Sequence, residues 1–265
     1  MDKVVVGGVP VDRLRSDEWT DLLVSDWRRK RQTGAPPKVV TTANGQVISL
    51  FAQDRAYREA VLAADHVAAD GMSVVFASQL ATTTPLTERV ATTDWFHSAA
   101  AAAATHRMKF YLLGASLEAN TRAAKRACEL YPDLILAGTR DGYFPRDDIP
   151  RIAKDVVASG ADVLWIGVGN PEQVLLAHAF KTLAPTLTWV RTCGGLFDFL
   201  SGERKRAPGT MQRLGLEWFY RVVQEPKRLA WRYATTNVHA AYRMARYSGA
   251  ATPASPLSAG ASRQA

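Results

Sequence analysis

Short apolar runs alternate with longer stretches of helical periodicity through the first two hundred residues, and this alternation restricts the fold more than any other feature. Runs near Val39–Thr41, Val67–Ala69, Phe110–Leu113, Ile135–Ala137, Val163–Val168 and Leu187–Arg191 read as strands. The segments Glu18–Arg31, Gln46–Ala63, Met72–Gln79, Thr93–Thr105, Leu117–Tyr131, Asp147–Ala158 and Glu172–Leu183 read as helices, some opening on a capping residue such as Ser116 or Asp147. The strands are nearly continuously apolar, so both their faces need cover. The pattern therefore predicts an α/β fold: a Rossmann-like, mostly parallel sheet with helices on both faces.

A chain of 265 residues accommodates one such domain and a small appendage. No window reaches eighteen uncharged apolar residues, so no bilayer-spanning segment is expected. The opening MDKVVVGGVPVD lacks the apolar region of a signal peptide. The two cysteines, Cys128 and Cys193, have no metal-type spacing and favour a reducing compartment, so a cytoplasmic location is expected.

After Ser201 the character changes. Between Glu203 and Tyr247 there are ten Lys/Arg against three Asp/Glu, a balance of +7 out of a total of +8. Two helical patterns, Met211–Gln224 and Lys227–Arg246, are separated at Pro226. The expected division is a main domain over 1–200, a basic helical appendage over 201–247 and a disordered tail over 248–265. Within the appendage, RLGLEWFYRVVQEPKRLAWR (213–232) gathers four arginines, two tryptophans and a tyrosine. Positive charge confined to one segment calls for an anionic partner: a lipid headgroup, nucleic acid or a diphosphate.

Four stretches at strand ends can carry chemistry, because ligands of open α/β sheets sit beyond the carboxyl ends of strands. In TTANGQ (41–46), Thr42 and Asn44 are placed to hydrogen-bond a polar ligand, although Asn-Gly is also common turn chemistry. In ADHVAADGMSVV, Asp70 is either a helix N-cap or a carboxylate facing the crevice as a general base. In LWIGVGNPEQ (164–173), Gly167 and Gly169 allow close backbone approach and the following helix start offers N–H groups to a diphosphate. This is not GxGxxG, and YLLGAS (111–116) is either a second wall of the crevice or a tight turn. In TCGGLFDFLSGERKRAPG, Gly194 and Gly195 again suit backbone approach to a nucleotide, while Phe197 and Phe199 read as core.

The order of these motifs is more specific than any one of them. TxN at 42–44, DG at 70–71, ERV…D at 88–94, GxGxPxQ at 167–173, GGxFDFxxGxxKRAP at 194–208 and GLEWxYRxxxEPxR at 215–228 follow one another as in the WecG/TagA/CpsF glycosyltransferases, which the chain resembles over about residues 38 to 235. The resemblance implies an inverting hexosyltransferase that moves a hexose-type sugar from a UDP-sugar onto a polyprenyl-diphosphate-linked sugar in surface polysaccharide assembly. It implies Asp70 as the base, and Thr42, Asn44 and Gln173 lining the pocket, while the loop at Gly169 is read as substrate-binding from its glycines and backbone amides. Arg221 and Arg228 match appendage arginines that reach the donor or lipid diphosphates. Two departures stand out: Glu172-Gln173-Val174 where the family commonly has Lys-Gln-Glu, and TTD where a glycine usually precedes Asp94. The transferred sugar is left open among glucose, N-acetylmannosamine and its uronic acid.

No Asp-x-Asp occurs, so no metal and no cofactor are expected, and arginines and backbone amides are left to stabilise the leaving diphosphate. The expected partners are the UDP-sugar, the lipid-linked acceptor and the inner face of the cell membrane, with self-association left open. Two rival readings are a nucleic-acid-binding protein using the basic segment, and a non-catalytic nucleotide-binding partner.

Overall fold

The computed structural model describes residues 2–224 and 226–249, apart from the side chains at 227–230, 232 and 234. The chain opens on a hairpin that the strand pattern above does not include: Lys3–Val6 (β1) pairs antiparallel with Val9–Asp12 (β2). Its two-residue turn, Gly7-Gly8, has φ of +60° and +91°. Such a turn needs positive φ at both central positions, which two glycines supply without a Cβ penalty.

The main body follows as Ser16–Thr33 (α1), Lys38–Ala43 (β3), Gly45–Gln53 (α2), Arg55–Leu62 (α3), His66–Ala69 (β4), Met72–Ala81 (α4), Thr92–His106 (α5), Lys109–Gly114 (β5) and Leu117–Leu130 (α6). It continues through Ile135–Arg140 (β6), Ile149–Ala158 (α7), Val163–Gly167 (β7), Glu172–Leu183 (α8), Trp189–Thr192 (β8) and Leu196–Leu200 (α9). The last elements are Gly209–Arg213 (α10), Glu217–Gln224 (α11) and Pro226–Tyr247 (α12).

Strands β4-β3-β8-β7-β5-β6 form one sheet in that order, parallel throughout, as the continuous apolar runs require. Each face has its own core. One gathers Ile48, Phe51, Val67, Ile166 and Phe180; the other is built on Trp19, Trp95, Phe96, Phe110, Trp165 and Trp189. Trp95 stacks on Trp189 at 6.0 Å, and Phe96 meets Trp165 edge-on at 5.0 Å. Truncating any one of these rings to alanine would cost about 3–5 kcal/mol.

Two helix boundaries differ from the pattern. The segment read as one helix over 46–63 is broken at Asp54, whose carboxylate accepts from the Tyr57 amide at 3.0 Å and so caps a new helix. Asp147 does not open α7; a 3-10 turn, Arg146–Asp148, comes first. Ser116 does cap α6, accepting from Ala119 N at 3.1 Å.

The basic C-terminal segment is helical, and α12 packs across α2, burying Ala240 and Met244 in the main core. At its end Gly8 N donates to Tyr247 O at 3.0 Å, Gly7 N to Ser248 Oγ at 3.0 Å, and Gly249 N to Val5 O at 2.9 Å. The hairpin thus receives the end of α12, with Ser248 and Gly249 held on it. The remainder of the expected tail, 250–265, lies outside the described residues. Among the described residues no helix is long and apolar enough to cross a membrane.

Candidate active site

The carboxyl ends of β3, β4, β7 and β8 open into one cleft of about 670 Å³, bordered on its far side by α11 and α12. That volume lies within the ordinary range of small-molecule sites. Thr42, Asn44, Asp70, Gly169, Gln173 and Arg221, separated by up to 179 positions in sequence, all line it.

Asp70 directly follows β4, and its amide donates to Ala43 O at 3.0 Å. The capping position of α4 belongs to Gly71, so Asp70 is not the N-cap. Its Oδ1 instead accepts from the amide of Thr92, the first residue of α5, at 3.0 Å. Burial raises its pKa above the ordinary carboxylate value of 3.8, as does Glu217; the Thr92 amide, Arg191 and Arg89 act in the opposite sense.

Asn44 Oδ1 caps α2 by accepting from Val47 N at 3.1 Å, and the residue borders the cleft. Thr42 is buried on β3 at the same rim. Gly169 has φ +87° and nothing within 4 Å of where a side chain would stand, so the loop before α8 leaves room for a ligand. The amides there are fewer than a helix start suggests: Pro171 has none, and Gln173 N donates to Gly169 O at 2.8 Å. Asn170 and Glu172 carry the remaining two.

Gln173 is 3% exposed, and both ends of its amide are engaged. Oε1 accepts from Gly194 N at 3.0 Å and Nε2 donates to Asn170 Oδ1 at 3.0 Å. It straps the loop after β7 to the loop after β8. Arg221 projects from α11 with its guanidinium carbon 5.8 Å from the Phe199 ring centre, and its buried Nε has no hydrogen-bond partner among the described residues. An unsatisfied buried N–H in a cleft is a ready donor to an anion. Arg228 lies on α12, but its side chain is outside the described residues.

Several cleft residues were not singled out from sequence. Arg206 forms a two-pronged pair with Asp94 at 2.7 and 2.9 Å and bonds Gln212 Oε1 at 2.9 Å. Arg89 pairs with Glu217 and reaches Asp94 at 3.2 Å. Together they clasp α10 and α11 to the start of α5. Both sit inside the ERV…D and KRAP motifs, so the motifs located them without giving their partners. Tyr143, 82% exposed, stands at the cleft rim on the loop after β6. Arg191 was read only as the end of a strand, yet it is fully buried behind Asp70.

An open parallel sheet with a cleft at its strand ends, bordered by a carboxylate and an arginine, defines an α/β protein with a candidate ligand site at the position usual for such sheets. Comparison with known proteins narrows that class. The chain belongs to the glycosyl transferase WecG/TagA/CpsF family, whose model matches residues 4–252. It is 31% identical over 195 residues to the N-acetylglucosaminyldiphosphoundecaprenol N-acetyl-beta-D-mannosaminyltransferase of Bacillus subtilis, covering 74% of this chain and 73% of the relative. It is 32% identical over 193 residues to the protein of that name from Bacillus spizizenii, covering 73% of each. The family expected from the order of motifs is therefore borne out.

Proposed function

We propose that this protein transfers N-acetylmannosamine, with inversion, from a UDP-sugar to a polyprenyl-diphosphate-linked N-acetylglucosamine. The single observation that carries the reading is that Asp70, the Gly169 loop and Arg221, whose Nε is unbonded among the described residues, share one cleft in a chain of this family. The choice of sugar and acceptor rests on the names of the two Bacillus relatives.

In the proposed step Asp70 takes the proton from the acceptor hydroxyl as its oxygen attacks the anomeric carbon. The bond from that carbon to the diphosphate oxygen breaks, and UDP leaves with the electron pair. Arg221, the amides of Asn170 and Glu172 and, by the family resemblance, Arg228 meet the charge that develops there. Thr42 and Asn44 orient the sugar. Gln173 holds the two glycine loops at the spacing the diphosphate needs.

The basic segment has a second task in this reading. Phe219, Val223 and Trp231 are exposed along α11 and α12, with Trp231 at 79%. Next to the local excess of arginine they suit attachment to the inner face of the membrane, where the lipid acceptor resides. The nucleic-acid reading is not favoured, since it leaves the strand-end cleft without a ligand.

The test is transfer of labelled sugar from UDP-N-acetylmannosamine to a synthetic polyprenyl-diphosphate N-acetylglucosamine, with the anomeric configuration of the product read by NMR. Asp70→Asn should lower turnover by about 10²–10⁴. No product from the natural chain would refute the function, and full activity in folded Asp70→Asn would remove the base assignment.

A further inference from the structure

Arg191 is a buried cation with an unusual set of partners. It sits on β8, 1% exposed, with Nη1 donating to Thr41 O at 2.9 Å and Nη2 to Thr92 Oγ1 at 3.3 Å. Its guanidinium carbon lies 5.3 Å from the ring centre of Trp95 and 6.0 Å from that of Trp19. Among the described residues its buried Nε is bonded to nothing, and no carboxylate lies within 4 Å. A side chain kept only to pack between two tryptophans would not need a charge, because removing a guanidinium from water costs several kcal/mol.

The missing counter-charge is one residue further on. Thr92 receives Nη2 on its hydroxyl and donates its own amide to Asp70 Oδ1 at 3.0 Å. Arg191, Thr92 and Asp70 therefore form a relay from beneath the sheet to the cleft. We infer that Arg191 is a positioning residue for Asp70: it fixes Thr92 so that its amide holds Oδ1, and its charge keeps the carboxylate ionised with Oδ2 left for the acceptor hydroxyl. The electrostatics agree in both directions, since Arg191 favours the charged form of Asp70 and Asp70 favours the charged form of Arg191. Burial pulls the Arg191 pKa down and Asp70 and Cys193 push it back up, leaving it at about 10, so the guanidinium is still fully charged at neutral pH. Cys193, also beside it, has its thiol pushed up by burial and stays neutral. The other charges acting on Asp70 are Arg89, ahead of α5, and Glu217 on α11, opposite in sign and paired with each other.

This inference rests on Asp70 being the base, so the primary measurement is chosen to need no substrate. The titration of the Asp70 carboxyl is followed by ¹³C NMR, assigned by its loss in Asp70→Asn, in the full chain and in Arg191→Met. Methionine fills the slot between Trp19 and Trp95 without a charge. A nearby opposite charge moves a carboxyl by about one to three pH units, so the midpoint should rise by at least about one unit in Arg191→Met. Arg191→Lys should recover part of the shift, and in the transfer assay the acid limb of kcat should move with the midpoint while the donor KM changes little. If Arg191→Met does not fold, Thr92→Val removes the hydroxyl link but keeps the amide, and an upward midpoint shift is expected there too. An unchanged Asp70 midpoint in folded variants would overturn the role given to Arg191. A titration that shifts in a protein transferring no sugar would leave that role standing and defeat the proposed function instead.

Discussion

Replacing Gln173 with leucine separates two explanations of that residue. If it only touches substrate, its loss weakens binding and leaves the fold alone. The geometry gives it a second duty, because its amide joins Gly194 N and Asn170 Oδ1, each at 3.0 Å, across the mouths of β7 and β8. Leucine keeps the bulk and removes both bonds. A net hydrogen bond is worth about 1 kcal/mol, and a partly buried amide left unpaired costs about 1 kcal/mol or more, so the loss should be about 2–3 kcal/mol. In a chain of this size that corresponds to a fall in Tm of about 4–10 °C. The donor KM should rise, because the Gly169 and Gly194 loops lose their tie. Gln173→Glu provides the contrast. It still accepts from Gly194 N, and Asn170 can turn its amide to donate, so Tm should fall less. Its negative charge faces the diphosphate position, so the donor KM should rise more. The assays are thermal unfolding by circular dichroism and initial rates against donor concentration. A Gln173→Leu protein as stable as the natural chain, with only KM altered, would refute the strapping role.

Three further outcomes follow from the site. Because the base works deprotonated and burial raises the Asp70 pKa, kcat should decline on acidification through a limb lying above pH 3.8; a rate flat down to that pH would contradict the assignment. Activity should survive EDTA, since arginines and amides are assigned the leaving-group charge; a strict need for added Mg²⁺ or Mn²⁺ would defeat this arrangement. Pelleting with anionic liposomes should drop several-fold when Phe219, Val223 and Trp231 are all changed to serine, and should weaken with salt. Equal pelleting of both proteins would remove the lipid-facing role. Truncation at 200 is a poorer test, because Ala240 and Met244 belong to the main core.

Strands buried on both faces are mostly apolar, so β3, β4, β5, β7 and β8 were legible as short apolar runs despite Thr41, Thr42 and Arg191 within them, and the parallel α/β class followed. The β1–β2 hairpin lies outside the expected strands: each of its strands is only four residues long, and Gly7-Gly8 between valines is its one local turn signal. The break at Asp54 escaped because helical periodicity runs on through it; only the side chain's choice of the Tyr57 amide ends one helix and starts the next. Asp70 could be read two ways until the structure assigned the cap position to Gly71.

The order of strands is what the linear chain leaves open. Setting β3 beside β8 brings Thr42 and Asn44 into one cleft with Gln173 and Gly194, some 130 to 150 positions away. The same pairing lays Arg191 against Thr41 and beneath Thr92. An arginine ending an apolar run looks the same in sequence whether it meets water or a buried threonine hydroxyl. Local periodicity, motif order and charge distribution thus determined the class, the family and the candidate residues. Which side chains are strapped, clasped or left unpaired was decided by tertiary structure alone, because hydrogen bonding and desolvation depend on neighbours that only the folded chain supplies.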